Sequence, residues 1–159
     1  METIRVISKE KKERYEELLP QLTALICDEK DVIALLANTT AALKSTFSYY
    51  SWVGFYLLKD AELVLGPFQG KVACFRIQKG KGVCGASIEK RETIIVPDVR
   101  QFSGYICCDP DSKSEIVVPL VHNGTPLGVL DVDSDDVGGF DEIDQVYLEK
   151  IADLLIQKF

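Results

Sequence analysis

Five cysteines are the residues of this 159-residue chain whose presence most needs a chemical explanation. None belongs to a Cys-x-x-Cys pair, and the chain has one histidine, so the spacing argues against a structural zinc site. A Cys-His hydrolase would need His122 beside a cysteine, but His122 stands next to Asn123-Gly124, at the exposed end of a predicted hairpin. Without a secretory signal a disulfide framework is not expected either, because cytosolic disulfides are mostly transient or catalytic. The cysteines are therefore candidates for thiol chemistry.

The cysteines fall into two groups by their sequence surroundings. Cys27 lies in a helical apolar pattern, which predicts a buried, inert core residue. Cys74, Cys84 and Cys108 each lie in or beside a glycine-containing loop, which favours accessible thiols. Asp109 would raise the pKa of Cys108, whereas four basic residues could lower the pKa of nearby thiols: Lys71, Arg76, Lys79 and Lys81. The sequence leaves open which thiol is ionised.

Two carboxylates and two aromatic side chains fall on shared strand faces. Because side chains alternate along a strand, Asp131 and Asp133 point to one face, and Trp52 and Tyr56 share a face of another strand. An exposed sheet face is one interpretation of the aspartate pair. If the two faces meet instead, aromatic walls flank the carboxylates, and the pocket suits a small ligand with a cationic amine and an apolar body. An amino acid fits that description.

The composition limits the classes of function. A chain with 47% hydrophobic and 27% charged residues is typical of a globular protein, so we expect one domain over residues 1–159. The net charge of −7 argues against nucleic acid, whose phosphates require clustered Lys and Arg. No stretch approaches the roughly 18 apolar residues of a membrane span, and the amino terminus lacks a signal-peptide core. We therefore expect a cytoplasmic protein without a membrane or nucleic-acid partner.

Helices are predicted at both ends of the chain. Apolar residues recur at three- and four-residue steps in two early runs: Leu18, Leu19, Leu22, Leu25 and Ile26, then Val32, Leu35, Leu36, Leu43 and Phe47. Pro20 lies in the first run and predicts a kink or a boundary, and Asp28 or Asp31 is the expected cap of the second helix. The same spacing returns after Phe140, with Asp141 as the cap.

Strands are predicted between these helices. Residues 49–58 and 62–65 favour a hairpin around Lys59-Asp60, and residues 115–122 and 127–133 favour a second one around Asn123-Gly124, with a further strand at 93–96. The glycine-rich segment 69–85 predicts a functional loop, with a short helix starting near Val83. The order predicts an α+β fold, a mainly antiparallel central sheet flanked by N- and C-terminal helices.

Several sequence blocks follow one another in a distinctive order. They are Leu65-Gly66-Pro67-Phe68-Gln69-Gly70 with Cys74, Gly82-Val83-Cys84-Gly85, Val96-Pro97-Asp98-Val99, Cys108-Asp109, Lys113 to Pro119, and Leu127 to Ser134. This series resembles the free methionine-(R)-sulfoxide reductase family over nearly the full chain. Because those enzymes are built on a GAF domain, the resemblance implies a single GAF-like domain over residues 1–159.

The resemblance implies thiol-dependent reduction of free L-methionine-(R)-sulfoxide to methionine. Cys108 would attack the sulfoxide sulfur and become a sulfenic acid, which Cys74 would resolve as an intramolecular disulfide. Cys84 would be a secondary partner in passing the disulfide to thioredoxin, which supplies the electrons, so no cofactor is implied. Cys107 departs from the family, in which a small unreactive residue is expected before the attacking cysteine. A second thiol at this position could capture the sulfenic acid.

The resemblance also assigns a substrate site. Glu115, Asp131 and Asp133 match positions that contact the substrate, and Trp52 and Tyr56 match its aromatic walls. The oxygen that leaves the sulfoxide must take up protons, and clustered carboxylates raise one another's pKa, so one of the three carboxyls would be the proton donor. The remaining charge would bind the substrate ammonium, a group that methionine within a polypeptide lacks.

Two other classes of function compete with the enzyme. GAF-like domains also act as sensory modules that bind small ligands, and the same disulfide could act as a redox switch on a partner surface without turnover. A binding module gives no reason for three cysteines in loops, whereas a reductase needs at least two that can meet. The resemblance adds that related domains often pair through their terminal helices, so a homodimer is an open expectation.

Overall fold

The structure, a computed structural model, describes residues 3–159, which form an α+β fold. In chain order the elements are α1 (Lys11–Ile26), α2 (Val32–Thr46), β1 (Trp52–Lys59), β2 (Glu62–Gln69), β3 (Arg76–Gln78), α3 (Gly82–Lys90), β4 (Ile94–Val96), a 3₁₀ turn (Val99–Gln101), β5 (Ser114–His122), β6 (Thr125–Ser134) and α4 (Glu142–Ile156). The six strands form one antiparallel sheet in the order β3-β2-β1-β6-β5-β4. The predicted fold class is confirmed.

Local residue preferences explain most element boundaries. The Asp31 side chain caps α2 by accepting from the amide of Ala34 at 2.9 Å, and Asp141 begins α4 in a capping box with Asp144. Asn123 and Gly124 both have positive φ, as a two-residue hairpin turn between right-twisted strands requires. These three predictions are confirmed.

Other boundaries differ from the predictions. Helix α1 continues through Pro20, so no boundary lies there. The first hairpin turns at Asp60 and Ala61, which both have positive φ, rather than at Lys59-Asp60. Strand β3 lies inside the predicted functional loop and pairs with β2 at the sheet edge. Three residues are too few to show the alternation that identifies a strand.

The two faces of the sheet pack against different layers. On one face, apolar side chains such as Val53, Phe55 and Leu130 form a core with α1, α2 and α4. On the other, Trp52 and Tyr56 form a second cluster with residues of α3 and of the surrounding loops. The predicted strand alternation therefore separates a structural face from a face that holds candidate site residues.

Within residues 3–159, none of the helices combines the length and hydrophobicity needed to span a bilayer.

Candidate active site

Strand register brings the three predicted carboxylates together. Glu115 on β5 lies opposite Asp133 on β6, and Asp131 is two residues away on the same face of β6. Trp52 on β1 lies opposite Asp133 from the other side. Glu115 and Asp131 are each only 6% exposed. The interpretation of the aspartates as an exposed sheet face is therefore wrong.

A glycine on β1 makes room for the aromatic wall. A Cβ at Gly54 would lie 2.4 Å from Cη2 of Trp52 and 2.4 Å from Cβ of Phe68, well inside van der Waals contact. The Trp52 ring stacks on Phe68 with centroids 5.4 Å apart, and the Tyr56 ring follows at 6.1 Å from Trp52. The predicted aromatic walls thus lie on the same sheet face as the carboxylates.

A disulfide joins Cys74 to Cys108 at the edge of this face, across 34 residues of sequence. Cys74 lies in the loop between β2 and β3, and Cys108 lies between the 3₁₀ turn and β5. The bond matches the pairing that the family resemblance implies. Two loops that are distant in sequence therefore meet at one covalent bond.

The aromatic walls also hold the loop that carries Cys74. The Tyr56 hydroxyl donates to the backbone carbonyl of Cys74 at 3.0 Å, and Nε1 of Trp52 donates to that of Lys71 at 3.0 Å. The Lys71 ammonium then reaches the opposite loop, with ion pairs to Asp109 at 3.1 Å and Asp111 at 2.5 Å. These two carboxylates raise the pKa of Lys71 to about 12, so the ammonium stays positively charged and paired with them.

Cys84 is a buried helical thiol, and not the accessible loop thiol that its glycine neighbours predicted. It is 3% exposed in the first turn of α3, and its Sγ lies 3.9 Å from Oε1 of Glu115 as a weak donor. Burial, with the nearby charges of Asp131 and Glu115, raises its pKa well above the ordinary value. Cys84 therefore holds its proton and is a poor nucleophile in this state.

The carboxylates have different proton affinities. Burial, with the negative charge of neighbouring carboxylates, raises the pKa of Glu115 and that of Asp131 well above their usual range. Burial also raises the pKa of Asp133, but only to about 6, because the Ser112 hydroxyl donates to its Oδ1 at 2.7 Å. Glu115 and Asp131 therefore favour the protonated form, whereas the hydrogen bond from Ser112 favours the carboxylate at Asp133.

The disulfide and the sheet face enclose a cavity of about 40 Å³. Five of its lining residues were predicted from the sequence as site residues on the sheet: Trp52, Tyr56, Glu115, Asp131 and Asp133. The loops add Val72, Ala73, Tyr105 and Ile106, which sequence reasoning missed. Tyr105 and Ile106 lie in the glycine-containing segment before Cys108, which was the available signal.

The other cysteines and the histidine lie outside this arrangement. Cys27 is exposed at the end of α1, so the prediction of a buried core residue is wrong. Cys107 is exposed beside Cys108. His122 is partly exposed at the far end of β5, seven residues and about 23 Å along the strand from Glu115. That separation argues against a Cys-His site at the disulfide.

Three buried side chains could in principle hold a metal ion. Ligand atoms of Cys84, Glu115 and Asp131 lie within 4.8 Å of one another. A thiolate with two carboxylate oxygens would suit a divalent cation such as zinc. The raised pKa of each group means that a cation would have to displace the protons, so the same cluster suits proton donation.

Comparisons with known proteins agree with the fold and the site. Residues 29–157 match the GAF domain family. "GAF domain-containing protein A" of Dictyostelium discoideum is 54% identical over 155 residues, which cover 97% of this chain and 98% of that protein. "Free methionine-R-sulfoxide reductase" of Saccharomyces cerevisiae is 46% identical over 153 residues, covering 91% of this chain and 85% of the yeast protein.

A solved structure extends the similarity to three dimensions. The free methionine-R-sulfoxide reductase of Neisseria meningitidis, in complex with its substrate, superposes with a TM-score of 0.98 at 45% identity. The match covers 100% of this chain and 96% of that one. The family that the sequence blocks resemble is thus confirmed by independent comparisons. The chain belongs to the GAF domain family and, within it, to the free methionine-R-sulfoxide reductases.

Proposed function

We propose that this protein reduces free methionine-R-sulfoxide to methionine through a cysteine sulfenic acid and the Cys74–Cys108 disulfide. The observation that carries the proposal is this disulfide, whose Cys108 lines a cavity together with carboxyl groups and aromatic rings. Membership of the free methionine-R-sulfoxide reductases supports the same reaction. A sensory module would need the cavity but not the disulfide.

The cysteines supply both electrons of the reduction. The Cys108 thiolate attacks the sulfoxide sulfur, the oxygen takes up protons, and methionine leaves as Cys108 becomes a sulfenic acid. The Cys74 thiol then attacks the sulfenic sulfur, which forms the disulfide and releases water. The disulfide is the state expected after methionine has left.

The carboxyl cluster would divide proton donation from substrate binding. Glu115 is the proton donor in this proposal, because burial and the neighbouring carboxylates raise its pKa and favour the protonated carboxyl. Asp133 is ionised above about pH 6 and would pair with the substrate ammonium. The Trp52 and Tyr56 rings would contact the apolar part of the ligand. A peptide-bound methionine lacks the ammonium and would therefore be a poor substrate.

The cycle needs an external dithiol to reopen the disulfide, and we assign this role to thioredoxin. No other cofactor enters the electron balance of the proposed steps. A reducing compartment is required for the thiol form, which supports a cytoplasmic location.

We also propose a homodimer through α4, where the apolar side chains of Ile143 and Val146 are exposed.

A coupled assay tests the proposal directly. Thioredoxin, its reductase and NADPH are combined with the free (R) sulfoxide, the free (S) form or a peptide-bound sulfoxide, and NADPH consumption is followed. We expect turnover with the free (R) form alone, and its loss in a Cys108→Ser variant.

The adjacent exposed thiol supplies a matched control. A Cys107→Ser variant removes a neighbouring cysteine without touching the disulfide, so it should retain turnover. Equal loss in both variants would assign the effect to the loop rather than to the attacking thiol. Ligand binding without turnover of any sulfoxide would contradict the enzyme and favour a sensory module.

A further inference from the structure

Two large apolar side chains beside the disulfide are exposed to solvent. Val72 is 88% exposed and Phe75 is 81% exposed, and they flank Cys74 at two residues before and one residue after it. Single exposed apolar residues are common, but a cluster at a reactive group marks an interaction surface. The exposed pair therefore indicates a binding partner, and the reactivity of Cys74 indicates the chemical class of that partner.

The backbone presents this pair outward. The carbonyl of Phe75 accepts from the amide of Leu65 at 3.0 Å, and the carbonyl of Cys74 accepts from the Tyr56 hydroxyl. Both hydrogen bonds anchor the loop to the sheet, while the Phe75 side chain faces solvent. The exposure of Phe75 is thus fixed by its backbone contacts.

Ion pairs border the apolar pair on both sides. Lys71 is held by Asp109 and Asp111, and Arg76 pairs with Glu62 at 3.3 Å. The basic residues next to the pair are therefore largely neutralised by their own carboxylates. An apolar centre with a polar rim is the usual layout of a protein docking surface.

The two sulfurs of the disulfide face different surroundings. Cys108 lines the cavity of the candidate site, whereas Cys74 does not and is followed directly by the exposed Phe75. Val72, two residues before Cys74, borders both the cavity and the solvent. A thiolate must approach along the axis of the bond that it breaks. A partner docked on this surface would therefore reach Cys74 and expel Cys108 as the thiolate.

We propose that Val72 and Phe75 form the docking surface for the protein dithiol that reduces the Cys74–Cys108 disulfide, and that this partner attacks Cys74. The proposal rests on the proposed function, since it names the surface used in its recycling step. The partner is a dithiol of the thioredoxin class. Its first thiolate forms a mixed disulfide with Cys74 as Cys108 leaves, and its second thiol releases Cys74 and closes the partner's own disulfide. Two electrons thus pass from the partner dithiol to the Cys74–Cys108 disulfide.

Variants at exposed apolar positions test the surface. We expect Phe75→Ser to lower kcat/KM for thioredoxin by about tenfold, because an aromatic anchor at the centre of an interface is lost. Turnover with dithiothreitol should stay unchanged, since a small dithiol needs no docking surface. Ile7→Ser is the matched control, because Ile7 is an apolar residue 86% exposed far from the disulfide in sequence. Equal rates for Phe75→Ser and Ile7→Ser with thioredoxin, or equal losses with both reductants, would overturn the docking surface.

A second measurement does not depend on sulfoxide reduction. The purified disulfide form is mixed with a thioredoxin variant whose second active-site cysteine is serine, and the trapped mixed disulfide is mapped by peptide mass. We expect the bond at Cys74 and less of it in Phe75→Ser than in Ile7→Ser. A bond at Cys108 would refute the assigned attack site. If no sulfoxide turns over but trapping occurs at Cys74, the proposed function fails and the docking surface stands.

Discussion

Asp133 has opposing effects on stability and on the proposed chemistry. Burial raises its pKa to about 6, which means that the folded protein holds the carboxylate less favourably than water does. The unfavourable contribution is fully present above about pH 6, falls as the pH drops from about 6 to about 4, and vanishes near pH 3, where the folded and unfolded forms are both protonated. The fold therefore carries a cost that only a bound ammonium would offset.

Removing this charge should separate stability from activity. We expect Asp133→Asn to increase the free energy of unfolding by about 3 kcal/mol at pH 7.5 and by nothing measurable near pH 3. Its kcat/KM at pH 7.5 should fall more than tenfold, because the ammonium loses its partner. Urea unfolding at both pH values and steady-state kinetics check this. The exposed Asp153→Asn on α4 is the control, and a pH-independent stability gain would contradict the argument.

The order of the thiol steps gives a second test at single residues. In Cys74→Ser, Cys108 can still attack the sulfoxide, but the thiol with which it forms the disulfide is absent. We expect one equivalent of methionine per chain and a sulfenic acid that dimedone labels at Cys108. Sustained turnover with thioredoxin would instead show that Cys84 or Cys107 resolves the intermediate. Cys27→Ser serves as the control thiol variant.

Sequence reasoning worked for site residues that lie on regular strands. The two-residue period placed Asp131 with Asp133 on one strand face and Trp52 with Tyr56 on a face of another strand, because a strand fixes the direction of each side chain. The register of β1 with β6 then brings the two faces together. Cys84 was misjudged because Gly82 and Gly85 resemble loop residues. In the fold Gly85 instead allows α3 to approach the chain closely, since a Cβ there would lie 2.4 Å from the carbonyl oxygen of Gln78.

At the scale of elements, β1 positions both the aromatic wall and, through it, the Cys74 loop. Trp52 occupies space that any side chain at Gly54 would fill, and its Nε1 holds the carbonyl of Lys71. Displacing the ring should therefore disturb the loop as well as the ligand cavity.

We expect Gly54→Ala to lower the free energy of unfolding by about 2 kcal/mol, as overpacking of a well-filled core does. KM for the sulfoxide should rise at the same time, because the ring moves in the site. Gly124→Ala is the comparison variant, since it carries only the strain of a positive φ and has no atom within 4 Å. Thermal unfolding and kinetics distinguish the two. An unchanged KM in Gly54→Ala would separate Trp52 from substrate binding.

Element prediction failed where tertiary contacts decide the boundary. The three residues of β3 form a strand because β2 offers an unpaired edge, which no local pattern reveals. The loop between the 3₁₀ turn and β5 takes its shape from the disulfide and from the ion pairs of Lys71. Tyr105 and Ser112 therefore could not be assigned to the site in advance.

At the scale of the whole molecule, a polar network joins both ends of the chain on the structural face. The buried Asp144 of α4 accepts from Tyr15 at 2.8 Å and from Tyr49 at 2.6 Å, and it pairs with Lys11 at 2.5 Å. Because the network packs against the sheet face opposite the cavity, its role is in stability rather than catalysis.

We expect Asp144→Asn to destabilise the fold by about 3 kcal/mol, since it leaves buried donors with a weaker acceptor and Lys11 without its buried partner. At a temperature where the variant is folded, kcat/KM should match that of the parent. Urea unfolding and the sulfoxide assay measure the two effects. Glu142→Gln, an exposed change in the first turn of the same helix, should alter neither. A selective loss of activity in Asp144→Asn would link the two faces.

The antiparallel α+β architecture could be predicted as a whole because helical periods at both ends of the chain flank a run of hairpin-linked strand periods. The contact between the loops at Cys74 and Cys108 could be inferred only from the family resemblance. Thirty-four residues separate these cysteines, and neither spacing nor composition specifies such a closure.

The segment closed by this disulfide contains β3, α3, β4 and the 3₁₀ turn, which is most of the layer over the site face. Each turnover therefore opens and closes a covalent ring around this segment, which spans 34 residues of the 159-residue chain. Opening a ring of this size restores chain entropy on the order of 3 kcal/mol to the unfolded ensemble. Amide hydrogen exchange in α3 should consequently be slower in the disulfide form than in the dithiol form, and it should slow more than that of α4, which lies outside the ring. The backbone of this layer would then report how far the cycle has advanced.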